Sequence, residues 1–213
     1  MTPRVRHEWA RRVAAEYGSA GIAAQVLAWC IQAGLPPQVL YAAHRVVHDE
    51  LEHARLGHTV LVALGGADEP VLLDGASLAV TGGLPVVLVR NFCFGETLAV
   101  PVFDRMRRRT THPLAREVLD QILEDEARHR AFGWEALDAL LEADPGVRAT
   151  VQAALPAIEA SFVGYAAPPP APPLSDEERA CGLLDHAEYA ELYARCREEE
   201  LVPRLSRRGL ALG

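Results

Sequence analysis

The stretch Asp49-Glu50-Leu51-Glu52-His53 recurs seventy-odd residues later as Asp125-Glu126-Ala127-Arg128-His129, and each copy lies inside a long helical pattern. Residues three apart on a helix sit about 60° apart around the axis and roughly 4.5 Å along it. Glu50 and His53 therefore share a face, as do Glu126 and His129. A carboxylate and an imidazole projecting together from each of two helices make half of a metal cage. One such pair is common on solvated helices. Here each pair is preceded by another helical stripe with an inward acid, Glu16 before the first and Glu96 before the second. Two helical hairpins related by a pseudo-two-fold would bring Glu16, Glu50, His53, Glu96, Glu126 and His129 around one centre. That demand constrains the fold more than any other feature of the chain.

The pattern in between predicts an all-α protein. Trp9, Val13, Glu16, Ala20, Ala23 and Leu27 mark one face of a first helix from about Arg6 to Ala33, closed by Gly34-Leu35-Pro36-Pro37. A second helix runs from Pro37 to about Leu64. Gly65 to Leu84 follows, a Gly-, Asp- and Pro-rich connection long enough to be a crossover, so that the second and third helices run parallel. The third helix spans about Pro85 to Arg109, with a kink expected from Pro101 just past Glu96. The fourth runs from Pro113 to about Ala143, where Asp144-Pro145-Gly146 breaks it. Residues 1–144 thus read as a four-helix bundle. Residues 145–213 read as a helical extension: a helix from about Val147 to Tyr165, a Pro-rich linker over 168–173, and a final amphipathic segment opened by the capping box Ser175-Asp176-Glu177-Glu178. The tail is expected to pack across the bundle or against a second subunit, a homodimer.

Composition narrows the partners. The net charge of -8 offers no basic field to displace counterions from phosphates, which argues against nucleic acid. Arg105 to Arg109 reads as a charge cluster on a helix end. Cys30, Cys93, Cys181 and Cys196 are widely spaced, with no Cys-x-x-Cys pair, and read as reduced thiols. No apolar leader and no run approaching a membrane span is apparent, so a cytoplasmic protein without a membrane partner is expected.

With those residues in view, the chain resembles the ferritin-like di-iron carboxylate superfamily, whose signature is Glu, Glu-x-x-His, Glu, Glu-x-x-His on successive helices of a four-helix bundle. The resemblance covers Arg6 to about Ala143. It implies that Glu50 and Glu126 bridge two metals, with Glu16 and His53 completing one and Glu96 and His129 the other. Asp125-Glu126-Ala127-Arg128-His129 is also similar to the Asp-Glu-x-Arg-His form of O2-activating members. The chain lacks the rubredoxin cysteines of rubrerythrins and the helix-two Met that holds haem in bacterioferritin, so no haem is expected.

Oxygen-rich ligation with two imidazoles suits two Fe ions, or Mn, or a mixed Mn/Fe pair. Asp49 and Asp125 are placed to orient the metal-bound histidines, either four residues on or across to the opposite hairpin. Cys93 and Ala20 fall where they would shape a pocket. Gly57 and Gly133, one turn past each His, either open a cavity or permit tight packing. The resulting expectation is a non-haem di-iron oxidoreductase that uses O2 and an external electron donor to hydroxylate, N-oxygenate or desaturate a small organic substrate. The rivals are a ferroxidase or iron-handling protein and a dimanganese peroxide-removing protein.

Overall fold

The computed structural model describes residues 1–69, 80, 82–166 and 172–213, and among them every regular element is helical. Helix α1 (Pro3–Gln32) is capped by the Thr2 hydroxyl, which accepts from the Val5 amide. Gly34, at φ +66°, turns the chain back into α2 (Pro37–Ala63). Prolines open α1, α2 and α5 (Pro113–Ala143) at a first-turn position, where a missing N–H costs nothing. His112 caps α5 by accepting from the Ala115 amide.

Between the two hairpin arms lies a continuous helical rod. It consists of α3 (Leu84–Leu88), a π-helical stretch (Val89–Gly95) and α4 (Glu96–Arg109). A π-helical irregularity thus precedes Glu96, in addition to the proline that follows it. Helix α4 continues through Pro101, which removes the donor that would have bonded the Thr97 carbonyl. The Cys196 thiol supplies the replacement, donating to Thr97 O at 3.6 Å, while Trp134 Nε1 donates to the Thr97 hydroxyl at 3.0 Å. The π-helical turn buries Phe92 and Cys93 completely against α5, at Phe132 and Gly133, and Phe94 beside Phe162 further along the chain.

Helix α1 packs along α2, α4 along α5, and α2 against α5, so the two hairpins meet through the helices that carry the Asp-Glu-x-x-His motifs. Asp49 faces His129 and His53 faces Asp125, which makes α2 and α5 antiparallel. Most of the expected crossover, residues 70–79 and 81, lies outside the described residues, as do residues 168–171 of the Pro-rich linker and residue 167 before it.

The final segment is not one amphipathic helix. Gly182, at φ +83°, stops α7 (Asp176–Ala180), and a second capping box, Asp185 with Glu188, opens α8 (His186–Cys196). A π-helical turn (Arg197–Leu201) and α9 (Val202–Ser206) follow. With α6 (Gly146–Ala166) these elements lie on the bundle and share one apolar core with it, from Val5 to Leu210. Polar contacts fix the docking. Trp9 Nε1 donates to Cys181 O at 3.1 Å, and Arg12 Nη2 donates to Gly182 O at 2.5 Å. Arg105 and Arg109, from the expected helix-end cluster, converge on the nearly buried Glu188 of α8. The four cysteines are buried and free. Leu84–Arg109 is long and apolar enough to cross a membrane by length and composition, contrary to the reading of the bare sequence, yet 56% of its most apolar window is buried inside the fold.

Candidate metal centre

Where the two hairpins meet, Glu50 and Glu126 (each 2% exposed), His53 and His129 (each 0%) and Glu96 (7%) are buried together. Glu16 joins them from α1 with a side chain 12% exposed. Ligand atoms of Glu50, Glu96, Glu126 and His129 all lie within 4.8 Å of one another, and so do those of Glu16, Glu50 and His53. Glu50 belongs to both groups. His129 Nδ1 lies 3.3 Å from Glu50 and 3.8 Å from Glu126, while His53 Nδ1 lies 3.8 Å from Glu16 and 3.9 Å from both Glu50 and Glu126. The two imidazole rings stand 5.6 Å apart.

Such a cluster is costly without a cation. Burial pushes the Glu50 carboxyl well above the usual carboxylate range, and Glu16 and Glu96 nearby push it further. Burial and Glu96 do the same to Glu126. For Glu16, burial raises the pKa, but its neighbours, His53 at 3.8 Å first among them, outweigh it and leave the carboxyl low. Burial pushes His129 down, toward the neutral imidazole that ligates metals. Three polar atoms here, His53 Nδ1, His129 Nδ1 and Glu126 Oε2, are buried with no hydrogen-bond partner. A buried polar atom left unpaired costs about 1–3 kcal/mol, and a cation among these carboxylates would offset that cost. The donor set of four carboxylates and two imidazoles fits a pair of divalent ions.

The outer nitrogens of the same rings complete the pattern. His53 Nε2 donates to Asp125 Oδ2 at 3.1 Å, and His129 Nε2 donates to Asp49 Oδ2 at 3.4 Å. An aspartate only accepts, so each ring carries its proton on Nε2 and turns the Nδ1 lone pair inward. Each aspartate thus crosses to the opposite hairpin, one of the two arrangements open from sequence. Gln121 donates to Asp125 at 2.9 Å, Arg128 pairs with Asp125, and Arg45 stands 3.6 Å from Asp49. Gln121 and Arg45 went unremarked in the sequence, although each sits four residues before its aspartate, the spacing of helix neighbours. Replacing Asp125 with Asn removes the acceptor charge and should weaken metal binding by roughly 10–100-fold with little change in the metal-free fold. A competitive metal titration checks this; unchanged affinity would show that Asp125 does not tune His53.

Of the two roles open to the glycines, the structure favours close packing. A Cβ at Gly133 would lie 2.3 Å from the Phe92 carbonyl oxygen, so this glycine permits close packing and opens no cavity. At Gly57 the same construction meets Val13 Cγ2 at 3.2 Å, again helix against helix. The Cys93 thiol donates to Gly133 O at 3.2 Å, turned into the core. Ala20 is buried, 4% exposed. An open cleft of about 200 Å³ lies instead between α1 and α4, reaching Glu16 and Gly95. Gly95 was missed from sequence. A Cβ there would meet only the Arg90 carbonyl at 3.7 Å, so its missing side chain leaves room beside the cluster. On the other side, a wider groove of about 720 Å³ between α2 and α5 has Asp49 and Asp125 among its walls. No family model matches the chain, and no curated protein or solved structure does either.

Proposed function

We propose that the chain is a ferritin-like four-helix bundle, the connection after α2 crossing back along the bundle to α3, and that it works as a cytoplasmic non-haem di-iron oxidoreductase. In this reading it oxidises a small organic substrate with O2 and electrons from an external donor. The observation that carries it is the pair of buried imidazoles with their Nδ1 atoms unpartnered among four carboxylates. Glu16, Glu50 and His53 would hold one ion, and Glu96, Glu126 and His129 the other, with Glu50 and Glu126 between them. Iron held there would supply O2 activation, while the electrons consumed in each turnover would come from the external donor.

The protein's own contribution is position and exclusion. Asp49 and Asp125 fix the histidine tautomers. The near-complete burial of Glu50, Glu126, His53 and His129 keeps bulk water from most of the cluster. Glu16, the most exposed of the six, leaves one approach open, through the cleft beside α4. An aerobic Fe(II) titration of the metal-free protein tests the reading. Oxidised iron retained per chain should saturate near the ~2 ions of a di-iron bundle site. Uptake continuing far beyond that would mean iron storage, and the oxidoreductase reading would fall.

A further inference from the structure

The two Asp-Glu-x-x-His copies differ in the residue before the histidine. The first carries Glu52 there and the second Arg128. Glu52 pairs with Arg55 along its own helix. Arg128 lines the groove between α2 and α5 and reaches across it. Its Nη2 pairs with Asp125 on its own helix and stands 3.8 Å from Asp49 Oδ2 on the other, while Nη1 lies 3.6 Å from Glu124. One guanidinium therefore spans the two aspartates that accept from His53 and His129. The pseudo-two-fold of the ligands is broken in the layer behind them.

An ion pair between exposed side chains contributes little, because water screens it. Here the arginine side chain is 36% exposed, but those of Asp49 and Asp125 are only 10% and 5% exposed, so screening is weaker on the carboxylate side. The aspartates are not held alike. Besides His53, Asp125 accepts from Gln121, a neutral donor, at 2.9 Å. Besides His129, Asp49 has Arg45 at 3.6 Å and His48 Nδ1 at 3.3 Å. Four cluster carboxylates balance two divalent ions, which leaves Asp49 and Asp125 to Arg45 and Arg128. A carboxylate on the outer nitrogen makes a ligating imidazole more basic. A guanidinium drawing on the same carboxylate opposes that, and its charge disfavours any further positive charge on a metal nearby. Both effects act in one direction.

We propose that Arg128 is a positioning residue shared by both halves of the centre: it clamps Asp49 and Asp125 behind His129 and His53 and keeps bound iron easier to reduce. The inference rests on the di-iron reading for the iron, and on the contacts of Arg128 alone for the clamp. It suits an oxidoreductase supplied from outside, because a higher potential lets a weaker donor recharge the pair.

Two readouts on the full chain test it. Iron-loaded protein is reduced stepwise with dithionite through mediators, each Fe(III) taking one electron to become Fe(II). Arg128→Gln should shift that equilibrium about tenfold toward Fe(III), a potential ~59 mV lower. Arg128→Lys should recover most of the shift. Arg45→Gln should shift it less, since Arg45 pairs with Asp49 and is more exposed. In the metal-free protein, nitrogen-15 NMR follows the Nε2 protons of His53 and His129, which should exchange with water faster in Arg128→Gln. An unchanged or raised potential in an Arg128→Gln chain that holds its iron would overturn the proposal and leave the oxidoreductase reading standing. Unchanged proton exchange would overturn the clamp. A chain that retains no iron would sink the oxidoreductase reading, while faster exchange in Arg128→Gln would still uphold the clamp.

Discussion

Glu50→Gln should weaken metal binding by more than ~100-fold, beyond the ~10–100-fold expected of outer hydrogen-bonding partners, and should at the same time stabilise the metal-free protein. The two effects have one cause. Glu50 stands between both imidazoles, and its carboxyl is pushed up by burial and by Glu16 and Glu96. A glutamine keeps the shape of the protonated acid and removes the charge that only a cation offsets. In a chain of this size each ~1 kcal/mol of relief raises Tm by ~2–4 °C, so thermal melts of the metal-free proteins read it directly. A Glu50→Gln chain that is less stable without metal, or that binds metal as before, would show that the cluster is not a cation site.

The same carboxyls set the pH dependence of the metal-free protein. Glu50 and Glu126 have folded pKa values above their ordinary 4.5, so their protonated forms favour the folded state, and that stability is lost as pH rises through the folded values. His129, pushed below its ordinary 6.5, acts in the opposite direction only as pH falls below that value. The stability these two carboxyls carry should therefore fall as pH rises above 4.5 toward their folded values. Fe(II), whose binding requires the deprotonated ligands, should reverse the slope.

Gly133→Ala should destabilise the fold by ~3 kcal/mol or more, at the upper end of overpacking costs. The added Cβ would meet Phe92 O at 2.3 Å, its carbonyl carbon at 2.5 Å and its Cβ at 2.9 Å, so two backbones must separate. Helix propensity would favour alanine by only ~1 kcal/mol and cannot offset that. Because Phe92 lies in the π-helical stretch leading to Glu96, the displacement should also lower metal affinity. Gly57→Ala is the control, since its only close neighbour is the methyl end of Val13 at 3.2 Å. Urea unfolding should show it within ~1 kcal/mol of wild type. Equal costs at the two glycines would contradict the packing account.

What the sequence disclosed follows from what repeats locally. Apolar spacing and the Gly and Pro breakers placed α1, α2, α5 and α6 within a few residues of their observed ends. The Glu-x-x-His spacing put each acid and histidine on one face, and the structure brings Glu16, Glu50, His53, Glu96, Glu126 and His129 into two overlapping groups. Features set by contact between distant segments were not legible. Pro101 drew the expected kink downstream of Glu96, whereas the π-helical turn lies at Val89–Gly95, where the rod approaches α5 at Gly133. Gly133 itself was ambiguous, because the backbone it admits comes from Phe92, 41 positions earlier in the chain. The break in the tail had local signals, Gly182 and the Asp185–Glu188 capping box. The docking of that break onto Trp9 and Arg12 did not, since it joins residues about 170 apart.

The most direct test of the central claim is an anomalous difference map at the iron edge, from crystals of the metal-free protein soaked anaerobically in Fe(II). The account predicts a pair of peaks roughly 3.5–4 Å apart, the spacing of two-metal sites, with Glu50 and Glu126 shared between them and the Nδ1 atoms of His53 and His129 facing one peak each. An empty cluster, or iron found only in the outer groove beside Asp49 and Asp125, would contradict it.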